Sequence, residues 1–403
     1  MRKVSAVALL AIAITAVALM WQPAYWAIAI PAIFAMCLAV IWLVRALSPR
    51  HELRTNPALW LILTAALWPL MQLGLGWTVY GWRTAQSFVY WAVAAAIVFS
   101  AIQTFRDPPV LRVFLRALVV FGFIVALISP LQRFTAEGKI FWMFDAPYSN
   151  IALGPFVYPN QYAAFIELLL PVALVEALSE RSGWRIFHGL ASAVMYGSVI
   201  AAISRSGVAL VTLEILAVPL LTARRHGTGL RQLRLPAAVL GGMLVVLTLA
   251  MGPDAIIAKL QQKDPYQGRR EFTESSLLMI RDHPLKGVGF GNWSTVYPAY
   301  ALFDDGLFAN QAHNDWAQWA VEGGLPFFLV MVALAVWIVP RALRTVWGSG
   351  LIAIFLQCLV DYPIQRIGVA IVFFALLGAV SLSETGQSEP RGKTSASASR
   401  ARV

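Results

Sequence analysis

Run after run of about 20 apolar residues, parted by short polar loops, fills this 403-residue chain. A soluble fold has no interior large enough to hide them. In lipid each run can close its own backbone hydrogen bonds as a helix. Spans read near 4–22, 25–44, 57–73, 86–104, 113–130, 160–178, 188–203, 208–223, 236–252, 318–339, 347–360 and 364–382. The pattern predicts an all-α polytopic membrane protein of about twelve transmembrane helices. Only 13% of residues are charged, against roughly 25% in soluble domains. Cys37 and Cys358 both lie inside apolar runs and read as small buried hydrophobes rather than a disulfide or metal pair.

The basic residues set the orientation. A net charge of +11 on a soluble protein would point to nucleic acid, but here the charges sit in short loops. With the N-terminus inside, 20 of the 31 Lys and Arg residues fall on inner loops or the tail. The positive-inside rule then predicts both termini in the cytoplasm and an even number of helices. Arg2 and Lys3 before the first span resemble a signal peptide, but no A-x-A-like cleavage site follows, so the span is read as a helix. Residues 1–383 form one transmembrane domain, and 384–403, rich in Ser, Ala, Gly and Arg, read as a disordered cytoplasmic tail.

Four polar features gather on the predicted outer face. The longest outer loop, 252–317, lies between the ninth and tenth spans. In it Phe272, Ser276, Met279 and Ile280 recur near helical spacing, and Pro284 ends the pattern, predicting an amphipathic helix at the membrane surface. The glycines 287, 289 and 291 follow no strand, so they are a turn-rich loop and not a dinucleotide fingerprint. Pro159, Asn160 and Gln161 suit a helix start, for which capping is as good an explanation as function. Ser204-Arg205-Ser206-Gly207 is a very short turn between two spans, and a charge held there needs a cavity or a partner. At 311–316 the loop re-enters the membrane as Gln-Ala-His-Asn-Asp-Trp, with Asn314 or Asp315 placed to cap the tenth span. Trp316 and Trp319 suit the interfacial aromatic belt.

Together Arg205, Arg269, Arg270 and His313 suit attack on a lipid diphosphate. The leaving pyrophosphate develops charge that planar bidentate arginines can hold. Histidine, as a residue type, titrates near neutral pH and can take the proton of an incoming hydroxyl. No acidic pair or His/Cys cluster argues for a metal: Asp304 and Asp305 are neighbours in a loop and read as solvated. The same cations would also suit an anion transporter.

At these residues the chain resembles the O-antigen ligase family of membrane glycosyltransferases, which includes O-antigen ligases, polysaccharide polymerases and some protein oligosaccharyltransferases. The likeness runs from about 150 to 325, with a similar tail to about 382. It rests on Tyr158-Pro159-Asn160-Gln161, Ser204-Arg205-Ser206-Gly207, Gly268-Arg269, His283-Pro284-Leu285-Lys286-Gly287-Val288-Gly289, and His313-Asn314-Asp315 followed by Glu322-Gly323-Gly324. The tail stretch 359–365, Leu-Val-Asp-Tyr-Pro-Ile-Gln, looks similar but settles nothing alone.

The resemblance implies a GT-C-like fold and a metal-independent, inverting transfer at the periplasmic face of the bacterial inner membrane, with no cofactor. The donor would be a glycan on undecaprenyl diphosphate. The acceptor would be lipid A-core for a ligase, or a second lipid-linked glycan for a polymerase. His313 is the implied base, Arg205 and Arg269 or its neighbour Arg270 the diphosphate ligands, and Asn160, Gln161, Asn314 and Asp315 supporting residues. No motif is carried over onto the first 130 residues, so Arg83 is a candidate by topology alone. A lipid-linked glycan transporter or flippase remains the reading from another class. Internal repeats with matching broken helices would favour it, and no six-plus-six likeness is visible.

Overall fold

The computed structural model describes residues 1–49, 52–146, 152–179, 183–226, 267–302, 306 and 308–383. Within them the apolar runs are helices: α1 (Arg2–Ala18), α2 (Tyr25–Ala46), α3 (Pro57–Gly74), α4 (Gly81–Thr104), α5 (Pro108–Thr135), α6 (Pro159–Ser179), α7 (Trp184–Ala202) and α8 (Arg205–His226). After the interruption come α9 (Gln267–Asp282), α10 (Trp293–Val296), α11 (Asp315–Thr345), α12 (Gly350–Gln357) and α13 (Ile367–Val380). Proline opens α3, α5 and α6, where its missing N–H is no loss and its fixed φ suits the first turn. Asn56 caps α3 by accepting from the Leu59 amide at 3.1 Å. The one small hairpin among the described residues pairs Lys139–Ile140 with Phe144–Asp145.

Eight described helices, α2 to α8 and α11, are long and apolar enough to cross a membrane. The chain is therefore a multi-pass, all-α membrane protein. The last two predicted spans are shorter than expected. Residues 347–360 yield a 3₁₀ turn and the 8-residue α12, and 364–382 yield the 14-residue α13. Burial explains the difference. Every residue from Gly368 to Val380 is buried, so α13 faces protein rather than lipid. Irregular backbone at membrane depth is tolerated where protein encloses it. The ninth predicted span (236–252), the first part of the long loop (252–266) and the tail (384–403) lie outside the described residues. A helix is present around 272–280 as α9, ending at Asp282 just before Pro284, and its Met279 is buried in a cluster with Val288, Trp293 and Val321. Trp319, expected in the aromatic belt, is instead 2% exposed and part of the main core.

One helix break fixes the loop that builds the site. Gly324 adopts φ +73° inside α11, and Pro326 follows with no N–H to give. In an unbroken helix the carbonyls of Val321 and Glu322 would accept from residues 325 and 326. Here the Leu325 amide turns to the Pro284 carbonyl at 2.7 Å. The two freed carbonyls take the loop amides instead: Val288 to Val321 at 2.9 Å and Gly289 to Glu322 at 3.1 Å. Buried Gln72, at the end of α3, completes the join by donating to the carbonyls of Lys286 and Glu322 at 2.8 Å each. The broken helix thus leaves neither freed carbonyl unmet. Arg83, the topology-based candidate, belongs to the same scaffold: its guanidinium donates to Ser294 Oγ at 2.6 Å and to the Gly291 carbonyl.

Candidate functional site

The starts of α6, α8 and α11, the helix α9 and the 358–366 connector meet at one end of the helix bundle. Their polar residues converge on Asp361. Its Oδ1 lies 3.4 Å from His313 Nδ1 and accepts from the Tyr362 amide at 3.0 Å. Its Oδ2 accepts from the Asn160 side-chain amide and lies 3.8 Å from Arg269 Nη2. Ser204 Oγ donates to Asn160 Oδ1 at 2.7 Å, and Gln357 Nε2 donates to the Asn160 carbonyl at 2.8 Å. Five segments distant in sequence are therefore joined through one carboxylate and one carboxamide.

Local sequence explains each placement. Ser204 serves twice, since its hydroxyl also accepts from the Gly207 amide at 3.2 Å and so caps α8. Gly207 lets α8 approach α6: a Cβ there would lie 2.3 Å from the Ala163 Cβ. Asn314 Oδ1 caps α11 by accepting from the Ala317 amide at 3.0 Å. His313, just before it, sits in the left-handed region at φ +51°. Such a conformation costs a non-glycine residue of order 1–3 kcal/mol and persists only where neighbours impose it. They do so here. The Ala312 amide donates to Gln318 Oε1 at 3.0 Å, and the Asp315 amide reaches the carbonyls of Cys358 and Asp361 at 2.8 and 3.2 Å.

The imidazole is held by its faces as well. Phe272 stacks on it at 6.0 Å and 13°, and Tyr362 meets it edge-on at 4.8 Å. The Arg366 guanidinium donates to the Tyr362 hydroxyl at 2.9 Å. Nδ1 is buried on the Asp361 side while the His313 side chain as a whole is 34% exposed. That leaves Nε2 as the nitrogen for a substrate proton. Burial alone would raise the Asp361 carboxyl. Its contacts with His313, Arg269 and Asn160 outweigh burial and hold it below the ordinary value of 3.8. The carboxylate therefore stays ionised at neutral pH. Its contribution to stability is present above the ordinary value and is lost only as pH falls through the depressed one.

The eight residues singled out in the sequence separate by place. His313, Arg269 and Asn160 meet at Asp361. Arg205 is half-buried at the first turn of α8, beside the Ser204 that reaches Asn160. Arg269 reaches the cluster, and its neighbour Arg270 is exposed. Gln161 is 7% exposed, and its Nε2 has no hydrogen-bond partner among the described residues. Asn314 is a cap. Asp315 is fully buried and binds the connector from below, accepting from Gln365 Nε2 at 2.7 Å and the Ile364 amide at 3.2 Å. Asp361 was not among the sequence candidates, nor were Phe272 and Tyr362. One signal was available: Asp361 is the only acid between Glu322 and Glu384, inside an apolar stretch.

The arrangement offers an oriented imidazole, a carboxylate behind it, and the Arg269 cation beside that carboxylate. That set can take a proton from a hydroxyl and hold an anionic leaving group. Among known families, the model described as O-antigen ligase matches residues 190–332. The match contains Arg205, Arg269, Arg270 and His313, and stops short of Asn160 on one side and Asp361 on the other. No curated protein matches the chain.

Proposed function

We propose, from the match of residues 190–332 to the O-antigen ligase family, that the chain moves a glycan from undecaprenyl diphosphate to a sugar hydroxyl at the periplasmic face of the inner membrane. The acceptor is lipid A-core, which makes the reaction O-antigen ligation. The single observation that carries the reading is the convergence of His313, Arg269 and Asn160 on Asp361.

In this reading His313 Nε2 takes the proton of the acceptor hydroxyl as its oxygen attacks the anomeric carbon. The carbon–oxygen bond to the diphosphate breaks, undecaprenyl diphosphate leaves, and the anomeric configuration inverts. The proton passes from His313 to water. Arg205 and Arg269 hold the diphosphate and offset the charge it gains, a task for which fixed guanidinium donors are suited. Asp361 and Asn160 position His313 and Arg269. No metal or cofactor is required, because the arginines carry the electrostatic role.

The test is an in vitro transfer assay with purified protein, an undecaprenyl-diphosphate glycan, EDTA, and either lipid A-core or a second lipid-linked glycan. Glycan on lipid A-core is expected. Growth of lipid-linked chains instead would make the protein a polymerase of the same family, and no product with either acceptor would count against transfer altogether. Arg205→Ala is expected to weaken donor binding roughly tenfold or more, the scale of a lost hydrogen bond to a charged group. Arg133→Ala, at the last turn of α5, is expected to change it less. Equal effects in a donor titration would remove the special status of the short turn.

A further inference from the structure

We infer that the membrane face opposite the His313 cluster carries a binding site for the phosphate of an anionic phospholipid. Helix α4 separates the two places. Its first turn carries Arg83, bound to the loop beside the cluster, and its last turn carries Gln103, whose side chain pairs with the backbone of Arg54 at 3.0 and 2.8 Å. At about 1.5 Å per residue its 24 residues span roughly the apolar thickness of a bilayer.

At that far end, where α1 begins and α2 and α4 finish, lies a cavity of about 680 Å³. This is within the roughly 300–1,000 Å³ common for small-ligand sites. Arg2, Lys3, Arg45 and Arg106 line it, against only Glu52 and Asp107 as acids. Arg106 is half-buried, and its guanidinium donates to the peptide carbonyl of Glu52 at 3.1 Å. Burial, then the nearby charges of Arg2 and Arg54, pull Arg106 below its ordinary value, with Glu52 opposing. An anion in the cavity relieves that crowding.

A second observation points to a ligand. Trp42 also lines the cavity, is 7% exposed, and its indole N–H has no hydrogen-bond partner among the described residues. An unmet buried donor costs about 1–3 kcal/mol, and a phosphate or ester oxygen would satisfy it. The surroundings favour a lipid over a free anion. Leu43 and Val44 on α2, and Leu47 just past its end, flank Trp42 and Arg45 and stand exposed on the outside of the bundle, where acyl chains would lie. Basic pockets at the ends of membrane helices are a recurrent form of headgroup site.

The test uses native mass spectrometry of the full chain in detergent with equimolar phosphatidylglycerol and phosphatidylcholine. Phosphatidylglycerol is expected to be retained about tenfold over phosphatidylcholine. The double variant Arg45→Gln/Arg106→Gln is expected to lose most of that preference. Arg2→Gln/Lys3→Gln, at the chain's exposed start, is a second variant that leaves the helix packing intact, and it is expected to reduce the preference severalfold. Equal retention of both lipids, or an undiminished preference in both variants, would overturn the site. Displacement by inorganic phosphate as effective as by phosphatidylglycerol would overturn the lipid assignment.

Discussion

Replacing His313 with alanine is expected to lower transfer by roughly 10²–10⁴-fold, the range a positioned general base supplies. At about 1.4 kcal/mol per tenfold this is roughly 3–5 kcal/mol of barrier. Donor binding should change little, because the diphosphate is assigned to Arg205 and Arg269. Two side effects need separating from the loss of the base. Alanine is strained at φ +51°, and the ring contacts with Phe272 and Tyr362 vanish. His313→Asn answers the first, since asparagine enters the left-handed region more readily than most residues. Both variants should insert, bind lipid-linked donor with near wild-type affinity, and fail in single-turnover transfer. Full activity in either would sink the assignment of His313 as base.

The two variants also bear on why the site was only partly legible in the sequence. Arg205 and His313 stand out as polar residues in a very short turn and at a membrane re-entry, where a solvated loop residue has no reason to be fixed; Arg269, inside the long outer loop, stands out through the Gly268-Arg269 likeness. The amphipathic helix α9 announced itself through the spacing of Phe272, Ser276, Met279 and Ile280. Asp361 did not, because its meaning depends on distance in space. It lies 48 residues beyond His313 and 201 beyond Asn160 in the chain, and nothing in local spacing links them. The break in α11 was similarly hidden. Glu322-Gly323-Gly324 is visible as a motif, yet its physical use appears only when the freed carbonyls of Val321 and Glu322 meet the amides of Val288 and Gly289. Hydropathy located the spans well where helices face lipid. It over-lengthened the last two, because the fully buried α13 is as apolar as a spanning helix while needing only 14 residues.

Charged groups within a membrane protein must find partners. Asn160 and Arg269 reach Asp361 from helices α6 and α9, while Ser204, His313 and Asp361 itself sit on backbone that has left regular structure. Gln318 joins them from below, donating to Gln311 Oε1 at 2.6 Å, to Glu322 Oε1 at 3.0 Å and to Gln365 Oε1 at 3.2 Å. The buried Asp315 ties α11 to the connector that carries Asp361. Rigidity of this kind is what holds a base within the few tenths of an ångström that proton transfer demands.

Asp361→Asn is the stricter examination of that network, and it is expected to lower turnover by about 10³-fold, within the span of general-base effects. One carboxylate oxygen accepts from the Tyr362 amide and faces His313 Nδ1 at 3.4 Å; the other accepts from Asn160 and faces Arg269 at 3.8 Å. A carboxamide keeps the shape but has one accepting atom. If its NH₂ faces His313, Nδ1 must become the acceptor, Nε2 carries the proton, and the base is spent before the acceptor arrives. If its NH₂ faces Asn160, two donors confront each other and Arg269 loses its carboxylate. Asp361→Glu, which restores the charge at a longer reach, should recover part of the turnover. The melting temperature separates positioning from mere structural damage: it should stay near wild type in both variants while single-turnover transfer falls in Asp361→Asn. An equal loss of transfer in both variants, together with a lowered melting temperature, would mean that Asp361 holds the connector and does nothing for His313.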